Sequence, residues 1–169
     1  MKFKILLLLS LTTVSYMLSA QDEDIVKIID DLTIEWDEEA KDLETYEGLT
    51  KYCRDKAYRD NTIELLNKIH HYDSALFKIV TDKYANNKDP EAKATLEDIE
   101  TLELDYATRR FLNFLRRECM SLNDNENNKN MDGYEDFVKD IEDEMIQYVE
   151  DITKQIDLID DHIHHLKDL

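Results

Sequence analysis

Glycine and proline are nearly absent from this sequence, which has two glycines and one proline in 169 residues. Both residues are common in tight turns, so their scarcity disfavours β-rich folds that need many such turns. Charged residues make up 36% of the chain and hydrophobic residues 42%, a mixture that is typical of long amphipathic helices. We therefore expect an all-α protein with few loops.

The sequence also lacks the short motifs of common catalytic and cofactor sites. It has no Glu-x-x-His pair of the kind that di-iron bundles use and no Cys-x-x-Cys-His motif for covalent haem. It has no glycine-rich phosphate loop and no nucleophile motif. Paired acids are frequent along the helices, but a catalytic pair needs a cleft, so we interpret them as solvated. We predict no enzyme activity and no cofactor.

Positive charge is scarce, because 21 lysines and arginines face 40 acids and the formal charge is −19. A molecule this acidic repels nucleic acid and anionic membrane surfaces as a whole. We therefore expect no nucleic-acid partner.

The first 20 residues have the three-part layout of a cleavable signal peptide. Met1–Lys4 is basic, Ile5–Leu11 is apolar apart from one serine, and small residues precede a cleavage site after Ala20. The alternative is a membrane anchor, but a bilayer needs about 20 apolar residues. No later segment is apolar enough to span a membrane. We expect a secreted or periplasmic protein in which residues 21–169 form a single domain.

After the signal, apolar residues recur every three or four positions, which predicts amphipathic helices. The last of these helices has the longest apolar stripe and needs partners along its whole length. Short connections between long helices favour an antiparallel, up-down-up-down four-helix bundle. The predicted helices cover about residues 24–53, 61–85, 90–122 and 132–166.

Local patterns mark the helix starts and the core. Asn61 with Glu64 and Asp132 with Glu135 resemble reciprocal caps, and Asp89 precedes Pro90 at a favourable first helical position. On the apolar stripes, we place Trp36 in the first helix and Tyr106 in the third among the core residues.

The two cysteines test this topology. Cys53 lies at the end of the first predicted helix and Cys119 near the end of the third. In an up-down-up-down bundle these ends share one pole, and an exported chain with an even number of cysteines favours a disulfide. We predict a Cys53–Cys119 bond; the alternative is two buried free thiols.

Basic residues concentrate near both cysteines. This basic pole would suit an acidic protein or another anionic partner, because arginine pairs well with carboxylates and phosphates. The alternative is that these cations complement the carboxyl ends of helices. The proposed pole comprises Arg54, Lys56, Arg59, Arg109, Arg110, Arg116 and Arg117.

The carboxyl-terminal helix ends in a cluster of histidine and aspartate. Asp161, His162, His164 and His165 have three- and four-residue spacings that can hold a transition-metal ion on a helix. In the bundle, the acids of residues 22–24 would be close enough to add oxygen ligands. The alternative is a solvated helix end, where histidine suits the local dipole.

These features favour a protein that acts by binding or as a structural component, without catalysis. Two other functions remain open: cation or metal binding through the terminal Asp/His cluster, and a periplasmic holding chaperone. An exposed helical stripe would also allow a homodimer. The likeness to four-helix bundles is architectural, and a fold by itself does not specify function.

Overall fold

The computed structural model describes residues 22–125 and 133–169, and within them every regular element is an α-helix. The predicted all-α class is therefore confirmed. The expected signal peptide, residues 1–20, and the expected cap Asp132 lie outside the described residues. The helices are α1 (Asp22–Leu43), α2 (Tyr46–Arg54), α3 (Lys56–Tyr84), α4 (Pro90–Glu100), α5 (Leu104–Asn125) and α6 (Tyr134–Asp168).

The predicted helix over 24–53 is divided into α1 and α2. Thr45 breaks the chain with an extended backbone and caps α2, because its hydroxyl accepts a hydrogen bond from the Gly48 amide at 3.0 Å. The same hydroxyl donates to the carbonyl of Asp42 at 2.9 Å. The Thr45 hydroxyl thus hydrogen-bonds a carbonyl at the end of α1 and an amide at the start of α2.

The predicted start of the second helix at Asn61 is corrected to Lys56. Asp55 is the N-cap, and its carboxylate accepts hydrogen bonds from the amides of Ala57 and Tyr58 at 2.8 and 3.2 Å. Asn61 therefore lies inside α3, exposed to solvent. Asp55, six residues before Asn61, has a side-chain oxygen that can cap a helix equally well.

The predicted helix over 90–122 is also divided, into α4 and α5. Its start is as expected, with Pro90 in the first turn and the Asp89 carboxylate accepting from the Glu91 amide at 2.9 Å. The helix stops at Thr101, and the free amide of Glu103 donates to a side chain of α6, Gln155, at 2.9 Å. A tertiary hydrogen bond therefore replaces one helical hydrogen bond at this break.

The longest helix, α6, follows Gly133, whose φ of +91° is a left-handed conformation that favours glycine. It runs antiparallel to α1, because Asp30 lies beside Asp160, whereas Trp36, later in α1, donates to the earlier Thr153 at 2.8 Å. At the start of α2, the Tyr46 amide donates to Glu142 at 2.9 Å, still earlier in α6.

Three further pairs of helices are antiparallel as well. Along α1 and α3, Glu35 pairs with Lys68, and Glu39 accepts from Thr62. Along α5 and α6, Arg117 pairs with Glu144 near the start of α6, whereas Glu103 contacts Gln155 two-thirds of the way along it. Along α3 and α5, His70 contacts Asp105, and Cys119 is bonded to Cys53 just before α3 begins.

The apolar faces of all six helices meet in one core. Trp36, Phe111 and Met145 are fully buried, each on a different long helix. A narrow apolar gap between α1, α3, α5 and α6 is too small for a water molecule, so it offers no room for a ligand. None of the described helices is both long and apolar enough to cross a membrane.

Tyr106 corrects the predicted core. Tyr106 is 53% exposed, whereas Phe114, which lies off the predicted stripe, is 2% exposed. The break at residues 101–103 rotates α5 relative to α4, so the stripe that fits α4 does not continue in phase through α5.

Candidate functional site

The predicted disulfide between Cys53 and Cys119 is present, with a Cα–Cα distance of 5.2 Å. It joins the last turn of α2 to α5 across 66 residues of chain. Arg59 at the start of α3 folds back over this junction and donates to the carbonyls of Tyr52 and Cys53 at 3.4 and 2.9 Å. The junction of α2 and α3 is therefore held by a covalent bond and by a charged hydrogen-bond donor.

The basic residues beside Cys53 have separate environments. Arg54 and Lys56 are exposed, and Lys56 forms an i,i+4 pair with Asp60. Arg59 is half-buried against the carbonyls of α2. Of these three predicted docking residues, Arg59 thus serves the fold directly.

The basic residues of α5 are spread along the helix. Arg116 and Arg117 lie within one turn of Cys119, but Arg109 is ten positions earlier, which is about 15 Å at the rise of an α-helix. Arg109 forms an ion pair with Asp105, which lies in the first turn of α5. Burial raises the pKa of Tyr52, and the charges of Arg116 and Arg59 lower it. Arg116 therefore lies near the Cys53 end, whereas Arg109 and Arg110 are farther along α5.

The four arginines of α5 lie on one continuous exposed face of that helix, rather than together at the predicted basic pole. The residues on this face recur at steps of three and four, and none of them is acidic. We call it the arginine face: Tyr106, Arg109, Arg110, Asn113, Arg116, Arg117 and Met120.

Aromatic rings position two of these arginines. The Arg110 guanidinium contacts the rings of Tyr106 and Tyr148, 5.4 and 5.2 Å from their centroids. The Arg117 guanidinium lies 5.1 Å from the ring centroid of Phe114. Cation–π contacts of this kind hold a guanidinium against a surface while its outer edge stays in water.

Carboxylates neutralise part of the arginine face. Arg117 pairs with Glu118 at 2.6 Å and with Glu144 at 3.2 Å. The Glu118 hydrogen bond raises the pKa of Arg117, and Glu118 itself is only 8% exposed. Arg116, by contrast, has no carboxylate at ion-pair distance within residues 22–125 and 133–169.

The arginine face was not predicted from the sequence, because Tyr106 was expected in the core. Exposed large apolar residues are few in the described chain, and Tyr106 and Met120, which is 71% exposed, are two of them. They stand fourteen residues apart at the two ends of the arginine face. In the sequence, Tyr106, Met120 and the arginines recur at steps of three and four, and this pattern could have predicted a shared helical face.

The terminal Asp/His cluster does not form one group. His164 and His165 turn to different neighbours: His164 Nε2 is 3.4 Å from Asp160, and His165 Nε2 is 3.3 Å from Glu91 of α4. Asp161 is exposed. His162, the fourth predicted residue, is half-buried beside them.

A different set comes together instead. One ligand atom each from Asp30 of α1 and from Asp160 and His164 of α6 lie within 4.8 Å of one another. Burial raises the pKa of Asp160, His164 lowers it, and the nearby carboxylates of Asp30, Asp161 and Asp157 raise it further. These acids therefore hold excess negative charge close together.

The chain matches no protein-family model, no curated protein and no solved structure in the comparisons made with each. The function must therefore be argued from these two groups of side chains.

Proposed function

We propose that the protein acts by binding, without catalysis, and that its arginine face docks an acidic surface of a protein partner. The observation that carries the proposal is that an exposed helical face with four arginines and no acid stands on a chain of formal charge −19. Asp105, Glu118 and Glu144 pair with Arg109 and Arg117, but the outer face remains a local concentration of positive charge. Such a concentration favours association with acidic surfaces and sets the orientation of the partner.

The composition of the face favours a protein rather than a polyphosphate. Four of the six arginines of the chain lie there, and none of its 15 lysines does. Arginine, tyrosine and methionine are enriched in protein interfaces, whereas lysine is depleted. The exposed side chains of Tyr106 and Met120 add apolar contacts that a protein partner can use.

The arginines also need little reorganisation before binding. The rings of Tyr106, Tyr148 and Phe114 already restrict two guanidinium groups. Immobilising a long side chain in an interface costs about 0.5–1.5 kcal/mol, so restraint before binding lowers that cost. From Tyr106 to Met120 the face is about 21 Å long, which matches a short acidic helix.

The same proposal includes the architecture behind the face. We infer one up-down-up-down bundle of four rods, in which α1 with α2, α3, α4 with α5, and α6 are the rods. The antiparallel contacts of neighbouring helices support this arrangement. The disulfide supports an exported protein, because such bonds persist in oxidising compartments.

The test measures binding of a fluorescently labelled peptide, with Glu and Leu along one helical face, to the disulfide-bonded protein. Fluorescence anisotropy of the peptide reports the binding. Replacing Arg109→Glu and Arg116→Glu together should weaken binding by at least about tenfold, since like charges facing each other across an interface cost several kcal/mol. Arg117 is left unchanged because it neutralises the buried Glu118.

The matched control reverses two exposed lysines outside α5, Lys78→Glu and Lys93→Glu, which alters the net charge equally. This control should bind the peptide as the wild type does. Equal binding by wild type, control and the α5 variant would discard the arginine face as the docking surface.

A further inference from the structure

The first and last helices bring three potential metal ligands together at the end of the molecule opposite the disulfide. Asp30 lies in the third turn of α1, and Asp160 and His164 lie on successive turns near the end of α6. Spacing of four residues puts Asp160 and His164 on one helical face. The antiparallel packing of α1 against α6 supplies the third group from a distant part of the chain.

The distances suit a metal ion. Zinc bonds of about 2.0–2.2 Å to nitrogen and oxygen place tetrahedral ligand atoms about 3.3–3.6 Å apart. His164 Nε2 and Asp160 Oδ1 are 3.4 Å apart. One ligand atom each from Asp30, Asp160 and His164 lie within 4.8 Å of one another. Binding of zinc would require the Asp30 side chain to move toward the other two by about 1 Å.

An independent feature also points to a ligand. Asp160 Oδ1 is shielded from solvent although its side chain is 35% exposed, and its polar neighbour among the described residues is His164 Nε2 at 3.4 Å, with which it makes no well-aligned hydrogen bond. A shielded carboxylate oxygen without a good hydrogen bond is unfavourable, and a cation bound between Asp160 and His164 would satisfy it. Asp30 is close enough to add to the negative charge at this oxygen.

We propose that Asp30, Asp160 and His164 bind a divalent transition-metal ion of the zinc class. Imidazole nitrogen with carboxylate oxygen suits zinc, whereas calcium takes six to eight oxygen ligands. Three protein ligands leave at least one position for water. The ion joins α1 to α6 at one end of the molecule, while Cys53–Cys119 joins α2 to α5 at the other.

This site replaces the terminal cluster expected from the sequence. His164 is common to both, but His165 is occupied with Glu91, and Asp161 is not among the grouped ligand atoms. The two ligand sets therefore make opposite predictions for single substitutions at neighbouring positions.

The experiment titrates the purified, disulfide-bonded protein with ZnCl₂ by calorimetry. Asp160→Asn and His164→Ala should each weaken zinc binding by at least about tenfold, because even outer-shell partners of metal ligands are worth that much. His165→Ala is the matched control for His164→Ala and should bind zinc as the wild type does. Asp161→Asn removes a nearby charge but no ligand atom, so it should weaken zinc binding far less than Asp160→Asn. Excess CaCl₂ should leave zinc binding unchanged.

Two further readouts separate metal loss from misfolding. Circular dichroism should show the same helix content in all four variants, and zinc should raise the unfolding temperature of the wild type and controls but not of the two ligand variants. In imidazole NMR spectra, zinc should shift the signals of His164 far more than those of His165. Zinc binding that is absent, or that is lost with His165→Ala and kept with His164→Ala, overturns the site.

Discussion

At the scale of single residues, Trp36 shows how one side chain sets the alignment of two helices. Its ring is fully buried, yet its indole N–H reaches Thr153 on α6 at 2.8 Å. A buried tryptophan needs such a partner, because an unpaired N–H loses its water without compensation. The pair therefore fixes the axial position of α1 along α6, which also brings Asp30 beside Asp160.

Replacing Thr153 by valine should lower the free energy of unfolding by about 1–3 kcal/mol, since the indole N–H would stay buried without an acceptor. Urea unfolding followed by the fluorescence of Trp36, the only tryptophan, measures the change. Thr153→Ser retains the hydroxyl and is the control. A valine variant as stable as the serine variant would show that the hydrogen bond contributes nothing.

The residues of the candidate metal site could be predicted only in part. The sequence indicates a histidine cluster, and His164 belongs to the observed group. Asp160 and Asp161 are each four residues before a histidine, so local spacing fits both pairs equally well. The choice between them depends on how α6 is rotated against α1, and Asp30 comes from more than a hundred residues away. Local patterns do not contain that information.

At the scale of elements, the α1–α2 break depends on Gly48. A Cβ added at this position would lie 1.7 Å from the carbonyl oxygen of Asp42 and 2.5 Å from its carbonyl carbon. Both atoms belong to the backbone at the end of α1, so neither can move aside as a flexible side chain could. The first turn of α2 therefore packs against α1 at a distance that excludes any side chain.

Gly48→Ala should destabilise the protein by about 1–3 kcal/mol through overpacking, although alanine favours an isolated helix by about 1 kcal/mol. The sign of the effect thus distinguishes tertiary packing from helix propensity. Thermal unfolding by circular dichroism measures it, with Ser74→Ala on the exposed face of α3 as the control. An alanine variant more stable than the wild type would mean that α2 does not approach α1 this closely.

The helical elements themselves were largely predictable, because apolar residues at three- and four-residue steps persist along the chain. Their boundaries were not. Asp55 and Asn61 are both good N-caps, and the sequence offers no reason to prefer the earlier one. The break after Thr101 depends on Gln155 of α6, which accepts from the Glu103 amide. That contact exists only once the helices have packed.

At the scale of the whole molecule, excess charge opposes compactness. A chain with 40 acids and 21 basic residues repels itself, and the penalty grows at low ionic strength. The structure opposes this repulsion with the apolar core and with links between helices distant in sequence. The disulfide was predictable because the predicted topology puts Cys53 and Cys119 at the same pole, and both lie on apolar stripes that face the core.

Replacing both cysteines by alanine should therefore lower the free energy of unfolding by about 4 kcal/mol, the chain-entropy value for a closed loop of this length. The bond closes a loop of 66 residues. Removing the bond restores conformational entropy to the unfolded chain and so stabilises the unfolded state. Urea unfolding measures the change, and a reducing agent should bring the wild type to the stability of the variant while leaving the variant unaffected. Helix content in buffer should stay the same, because Tyr52 and Leu115 are buried in the core and the packing of this core does not require the bond. A midpoint unaltered by reduction would mean that the unfolded chain is already compact around these positions, so that the bond constrains little.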